Sequence, residues 1–229
     1  MKSMRYPATR VSCLALAAFA LLAPAARAAE PAVELQQGDK IAYIGNTLAD
    51  RMQHAGWLET LLQSRFPEKQ FVFRNLGYAA DEIAERPREQ NFGDPDKHLT
   101  HVKADVVFAF FGYNESHNGE AGLNGFRQQL AANIDHMRGQ KYNGASAPRL
   151  VYFSPIAHEN LKKHYLPTGE ESNARLALYT QAMKEVCAEK GVAFVDVFTP
   201  MAEAYAKAAE PLTLNGIHLT DSGNRVLAE

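Results

Sequence analysis

Five short apolar runs punctuate the chain, at residues 40–44, 70–75, 104–111, 149–154 and 192–198, each rich in Val, Ile, Phe, Tyr or Ala. A strand wetted on one side alternates polar and apolar positions. A continuous apolar run suits a strand covered on both faces, as in a parallel sheet. Between the runs the period changes to that of a helix. Residues 50–66 carry Met52, Leu58, Leu61, Leu62 and Phe66 in register; residues 123–137 carry Phe126, Leu130, Ile134 and Met137; residues 172–189 carry Leu176, Tyr179, Met183, Val186 and Cys187. The Ala-rich residues 198–209 and a segment beginning near Thr220 are predicted as two further helices. Strands alternating with helices imply βαβ units, and hence a three-layer α/β/α sandwich around a flavodoxin-like, parallel five-stranded sheet. Residues 78–100 and 157–171 show no period and are predicted as long loops, a kind of segment that commonly lines an active site.

The first residues follow a different rule. Lys2, Arg5 and Arg10 precede an apolar run of about 14 residues and the small-x-small signal Ala26-Arg27-Ala28. This order predicts a secretory signal peptide over residues 1–28, a domain over residues 29–229, and a secreted or periplasmic location. The run is too short to span a bilayer as a helix, so no membrane span is expected after cleavage. The signal holds four basic and no acidic residues, which leaves 20 basic and 26 acidic side chains and a net charge of −6. An acidic domain without a basic cluster argues against a nucleic-acid partner. Cys187 is then the single remaining cysteine, so no internal disulfide is available, and its place in an apolar helical stripe reads as a buried small hydrophobe. The last predicted helix has about two turns before Glu229, which suits either a complete domain or a chain with a further downstream domain.

Ligands of open parallel sheets bind outside the carboxyl ends of the strands. The first run ends in Ile44-Gly45-Asn46-Thr47-Leu48, the second in Asn75-Leu76-Gly77, and the third in Phe111-Gly112-Tyr113-Asn114-Glu115. Near the carboxyl end stands Asn215-Gly216-Ile217-His218-Leu219-Thr220-Asp221. These four segments, in this order and over residues 39–229, resemble the four sequence blocks of the SGNH (GDSL-like) hydrolases. That family carries a nucleophilic Ser in its first block, a Gly in the second, an oxyanion-binding Asn in the third, and an Asp-x-x-His acid and base in the last.

The resemblance implies a role for each matching residue. Thr47 falls at the nucleophile position, with its own N–H, the N–H of Gly77 and the amide of Asn114 as oxyanion donors. His218 falls at the general base, and Glu115 at a supporting position. Two departures stand out. Thr47 replaces Ser, adding a methyl that restricts the side chain, and the residue reads equally well as a helix cap. Asn215 replaces the acid; it can orient an imidazole but supplies no charge, and its NH₂ can hold the wrong tautomer. Asn46 replaces the Asp of the first block at a supporting position, and Asp196 is a conceivable substitute acid. His158-Glu159 with His164 lacks the spacing of a His-Glu-x-x-His zinc site.

Three readings follow. The first is an ester hydrolase for small acyl esters, such as those of acetylated carbohydrate, with no metal or organic cofactor implied. The second is a non-catalytic module on the same fold that binds a glycan or a partner domain. The third, a flavin or nucleotide binder, is disfavoured because no Gly-x-Gly-x-x-Gly follows the first run.

Overall fold

The computed structural model describes residues 32–87 and 89–229; the predicted signal peptide lies outside the described residues. Five parallel strands form one sheet: β1 (Lys40–Gly45), β2 (Val72–Asn75), β3 (Val106–Phe110), β4 (Arg149–Phe153) and β5 (Ala193–Val195), in the order β2-β1-β3-β4-β5. This is the doubly wound flavodoxin-like order, and it reverses between β1 and β3. The helices are α1 (Thr47–Met52), α2 (Trp57–Arg65), α3 (Glu89–Phe92), α4 (Pro95–Val102), α5 (Gly119–Arg138), α6 (Glu170–Lys190), α7 (Phe198–Lys207) and α8 (Asp221–Ala228).

Successive strand residues point to opposite faces, and the core divides accordingly. Ala42, Ile44, Val107, Ala109, Leu150 and Tyr152 pack with Leu99 of α4 and the apolar stripes of α5 and α6. Ile41, Tyr43, Phe108, Phe110, Val151 and Phe153 pack with α1, α2, α7 and α8 on the other face. Aromatic rings fill that second layer, with Phe110 stacked on Phe153 at 4.4 Å and Tyr43 on Phe108 at 5.7 Å between centroids.

Two expectations need correction. The segment predicted as one helix over residues 50–66 is two, α1 and α2, because the chain turns at Gly56, whose φ of 65° lies in the left-handed region. The loop expected at residues 78–100 contains α4. Asp94 caps it by accepting from Lys97 N at 2.8 Å, and Pro95 occupies its first turn, where a missing N–H costs nothing. No helix among the described residues is long and apolar enough to cross a membrane.

Candidate active site

A cleft of about 180 Å³ opens at the carboxyl ends of β1 and β3, where the strand order reverses. Thr47, Asn114 and His218 all line it, together with Arg51 and Tyr113. Three of the predicted residues, from three distant parts of the sequence, therefore meet in one place.

The turn after β1 brings Thr47 there. A Cβ on Gly45 would stand 2.1 Å from Phe110 O, so only glycine lets β1 and β3 approach this closely before the chain turns. Asn46 then caps α1, its Oδ1 accepting from Leu48 N at 3.1 Å. The capping role considered for Thr47 thus belongs to Asn46. Thr47 is the first residue of the helix, and its hydroxyl and N–H make no hydrogen bond among the described residues. Thr47 itself lines the cleft.

The loop after β3 carries Asn114, whose Nδ2 lies 3.5 Å from Asp81 O, a weak contact that leaves the amide able to turn toward the cleft. Glu115 fastens this loop from behind. Its buried carboxylate accepts from Gly112 N at 2.9 Å and from Ile83 N at 3.0 Å, joining the loops after β3 and β2. Burial pushes its carboxyl above the ordinary carboxylate range, and the backbone N–H donors pull the other way.

Gly77 is not brought to this cleft. Its N–H donates to Asn75 Oδ1 at 2.9 Å, and it lines a separate cavity with Asn75, Asp81 and Arg86. The oxyanion donor expected from Gly77 is already engaged. Packing explains why a glycine stands there: a Cβ would sit 2.7 Å from the Cβ of Ala49 and the N of Asp50 in α1.

His218 enters on the loop before α8. Thr213 and Leu219 form an antiparallel bridge, Leu214 N donates to His218 O at 2.7 Å, and Thr220 caps α8 through Gly223 N. Asn215 Nδ2 lies 3.0 Å from His218 Nδ1. The oxygen and nitrogen of an amide are assigned from their surroundings, and here the surroundings decide. Oδ1 faces the backbone N–H of His218 at 3.1 Å and of Ile217 at 3.4 Å, and exchanging the two atoms would set NH₂ against two donors. The NH₂ therefore donates to Nδ1, and the proton of neutral His218 resides on Nε2, the nitrogen a general base must leave bare. Burial, and then the positive charge of Arg51, lower the pKa of His218 and favour that neutral form.

Asp196 does not replace the missing acid. Its carboxylate accepts from Thr199 N at 3.0 Å and Thr199 Oγ1 at 2.7 Å at the entrance to α7, away from the cleft lining. Ser154 contributes a second hydroxyl to the cleft wall, but it is fully buried and accepts from Val197 N and Phe198 N at 2.9 and 3.0 Å. Cys187 is buried in α6, where burial pushes its thiol up to about 12. No group of three His, Cys, Asp or Glu among the described residues could hold a metal ion.

Two residues without a functional reading in the sequence shape the His218 loop. The buried carboxylate of Glu159 accepts from Leu212 N at 3.1 Å, Thr213 N at 2.7 Å and Thr213 Oγ1 at 2.6 Å, while Glu159 N donates to Gly216 O at 2.8 Å. Beside it the ring of His158 is buried between two glycines. A Cβ on Gly216 would come within 2.3 Å of His158 Nε2, and one on Gly169 within 2.7 Å of its Cδ2. Neither ring nitrogen has a hydrogen-bond partner among the described residues, and burial lowers the pKa of His158, favouring the neutral ring.

A hydroxyl, an amide and an imidazole converging at the switch point of a doubly wound α/β domain are the groups that acyl transfer uses. The chain belongs to the GDSL-like Lipase/Acylhydrolase family, whose model matches residues 38–226, and this places it among the ester hydrolases. Similar solved structures include Axe2, an acetylxylan esterase from Geobacillus stearothermophilus, at a TM-score of 0.64 and 15% identity over 86% of this chain and 93% of that one. LAE5, an alpha/beta hydrolase enzyme from the metagenome of Lake Arreo in Spain, matches at 0.59 and 18% over 84% and 93%. BT4096, a gut microbial diltiazem-metabolizing enzyme, matches at 0.64 and 19% over 87% of this chain, which spans 47% of that protein. At these identities the likeness is one of fold. No curated protein matches the sequence.

Proposed function

We propose that the chain is an exported hydrolase of small acyl esters, acetylated carbohydrate being the substrate class. The observation that carries this reading is the convergence of Thr47, Asn114 and His218 in one small cleft at the switch point. Thr47 Oγ1 attacks the ester carbonyl. His218 takes its proton and returns it to the leaving alcohol, then takes a proton from the water that attacks the acyl-Thr47 ester and returns it to Thr47 Oγ1 as the carboxylic acid departs. The N–H of Thr47 and the amide of Asn114 hold the oxyanion, each such donor being worth about 3 kcal/mol in the transition state. The cleft's size suits an acetyl-sized group better than a long acyl chain.

The Asn215–His218 contact sets the rate in this account. His218 can act as base only after its proton moves to Nδ1, which requires the Asn215 amide to turn away from two backbone donors. A histidine held in the wrong tautomer by an Asn-for-Asp exchange costs about 10⁴ in kcat in a serine protease. Slow turnover follows. The same contact favours a second reading, a module that binds a glycan or partner domain without turnover.

The test is hydrolysis of 4-nitrophenyl acetate by the domain beside its Thr47→Ala and His218→Ala variants. Activity above the blank that both variants lose supports the hydrolase. Equal rates in all three proteins at blank level reject it in favour of the binding module.

A further inference from the structure

The one formally charged side chain among the described residues that line the cleft is a cation, Arg51. Arg51 projects from α1 one turn after Thr47, is half-buried, and lines the cleft. It forms no ion pair and no side-chain hydrogen bond among the described residues. Asp50, its neighbour in α1, accepts from Gln53 Nε2 at 2.9 Å, and Asp221, at the start of α8, accepts from Trp57 Nε1 at 2.9 Å. No Asp or Glu among the described residues lines the cleft. Around Arg51 stand the Asn114 amide, the N–H of Thr47 and the hydroxyl of Tyr113, which burial keeps protonated. His218 adds the proton on Nε2 that its contact with Asn215 dictates. A guanidinium partly withdrawn from water, without a counter-ion, is favoured by a ligand that supplies one. Its planar fork matches a carboxylate in two-point contact.

We propose that Arg51 makes this cleft a site for esters that also carry a carboxylate, the guanidinium binding the acid while the ester carbonyl lies at Thr47. This rests on the reading of the cleft as an ester site, and it narrows the substrate class from neutral acyl esters to acidic ones. The acid can belong to the acyl part, as in a hemiester of a dicarboxylic acid, or to the alcohol part, as in an acylated acidic sugar. The shared chemistry is a carboxylate within one side-chain length of the ester.

Binding without turnover tests this separately from catalysis. Monomethyl succinate and dimethyl succinate differ by one charge at nearly equal size. Titration of each into the protein, followed by calorimetry and by the His218 ring signals in NMR, should show the monoanion binding at least tenfold tighter. The preference should weaken as salt is raised, disappear in Arg51→Gln, and persist in part in Arg51→Lys. Equal affinity for the two esters, absence of binding by both, or an unchanged preference in a folded Arg51→Gln protein would overturn the proposal. A second pair locates the acid: 4-acetoxybenzoate preferred over 4-acetoxybenzamide places it on the alcohol side, and preference confined to the succinate pair places it on the acyl side. Absence of hydrolysis of all four esters, with the binding preference intact, counts against the hydrolase alone.

Discussion

Asn114 and His218 reach the cleft on two loops built on the same plan. Behind Asn114, the buried carboxylate of Glu115 holds Gly112 N and Ile83 N; behind His218, that of Glu159 holds Leu212 N, Thr213 N and Thr213 Oγ1. In both, a buried carboxyl group is satisfied mainly by backbone N–H donors, and the backbone is thereby fixed. The loops differ in what they present. Asn114 offers an amide that can turn toward a substrate. His218 is gripped by Asn215 through the nitrogen whose proton it would need to gain before acting as a base. The shape of the cleft is held at both loops, and the proposed proton transfer is impeded at one. Geometry and acid–base poise are separable properties of an active site, and they can be altered one at a time.

The sharpest way to break the comparison is Asn215→Asp. A carboxylate oxygen can keep the bonds from Ile217 N and His218 N while the other accepts Nδ1–H and frees Nε2. Ester hydrolysis should rise by up to about 10⁴-fold in steady-state assays. A rise below tenfold would mean that the Asn215 contact does not limit the rate. Next in size is the loop anchor. Glu159→Ala strands three donors in a buried place and should cost about 3 kcal/mol in denaturant unfolding. Glu115→Ala, with two donors lost and a carboxyl already disfavoured by burial, should cost less. The reverse ranking would show that the two anchors are not equivalent in kind. Thr47→Ser removes the methyl that restricts the proposed nucleophile and should raise the rate roughly tenfold, about 1.4 kcal/mol of barrier.

The smallest effects are in pH. His218 must be neutral to act as a base, and its pKa is lowered by burial and by Arg51. The kcat/KM should therefore hold through neutral pH and fall only as pH drops below the ordinary imidazole value. Arg51→Gln should move that fall to higher pH, as should Asn215→Asp. His158, also lowered, binds fewer protons folded than unfolded, so its contribution to stability is complete above the ordinary imidazole pKa and is lost as pH falls below it. Urea midpoints measured across that window should decline toward acid, and the decline should flatten in His158→Gln.

The parallel sheet was legible in the sequence because continuous apolar runs have few other uses, and each run lies on an observed strand. Thr47, Asn114 and His218 were legible because they follow strands or precede a helix, and the sheet brings such positions together. Other features depend on contacts that spacing does not record. The break between α1 and α2 hides in an apolar stripe that runs on from Met52 to Leu58, and is set by the left-handed turn at Gly56. The helix α4 carried a readable start in Asp94-Pro95, concealed by the loop-like composition around it. Gly77 stood at a plausible oxyanion position, but the structure spends its N–H on Asn75 and uses its missing side chain for packing on α1. Glu159 acts on residues 53 and 54 positions away, beyond the reach of any local pattern.

The central claim is the protonation of one ring. Nitrogen NMR of His218 at neutral pH, in protein labelled on its histidines and assigned with His218→Ala, reads the two ring nitrogens directly. The account predicts a bare, hydrogen-bond-accepting Nδ1 and a protonated Nε2, with the two signals exchanging character in Asn215→Asp. A protonated Nδ1 in the unaltered protein would contradict it and would show that Asn215 orients His218 as an acid would.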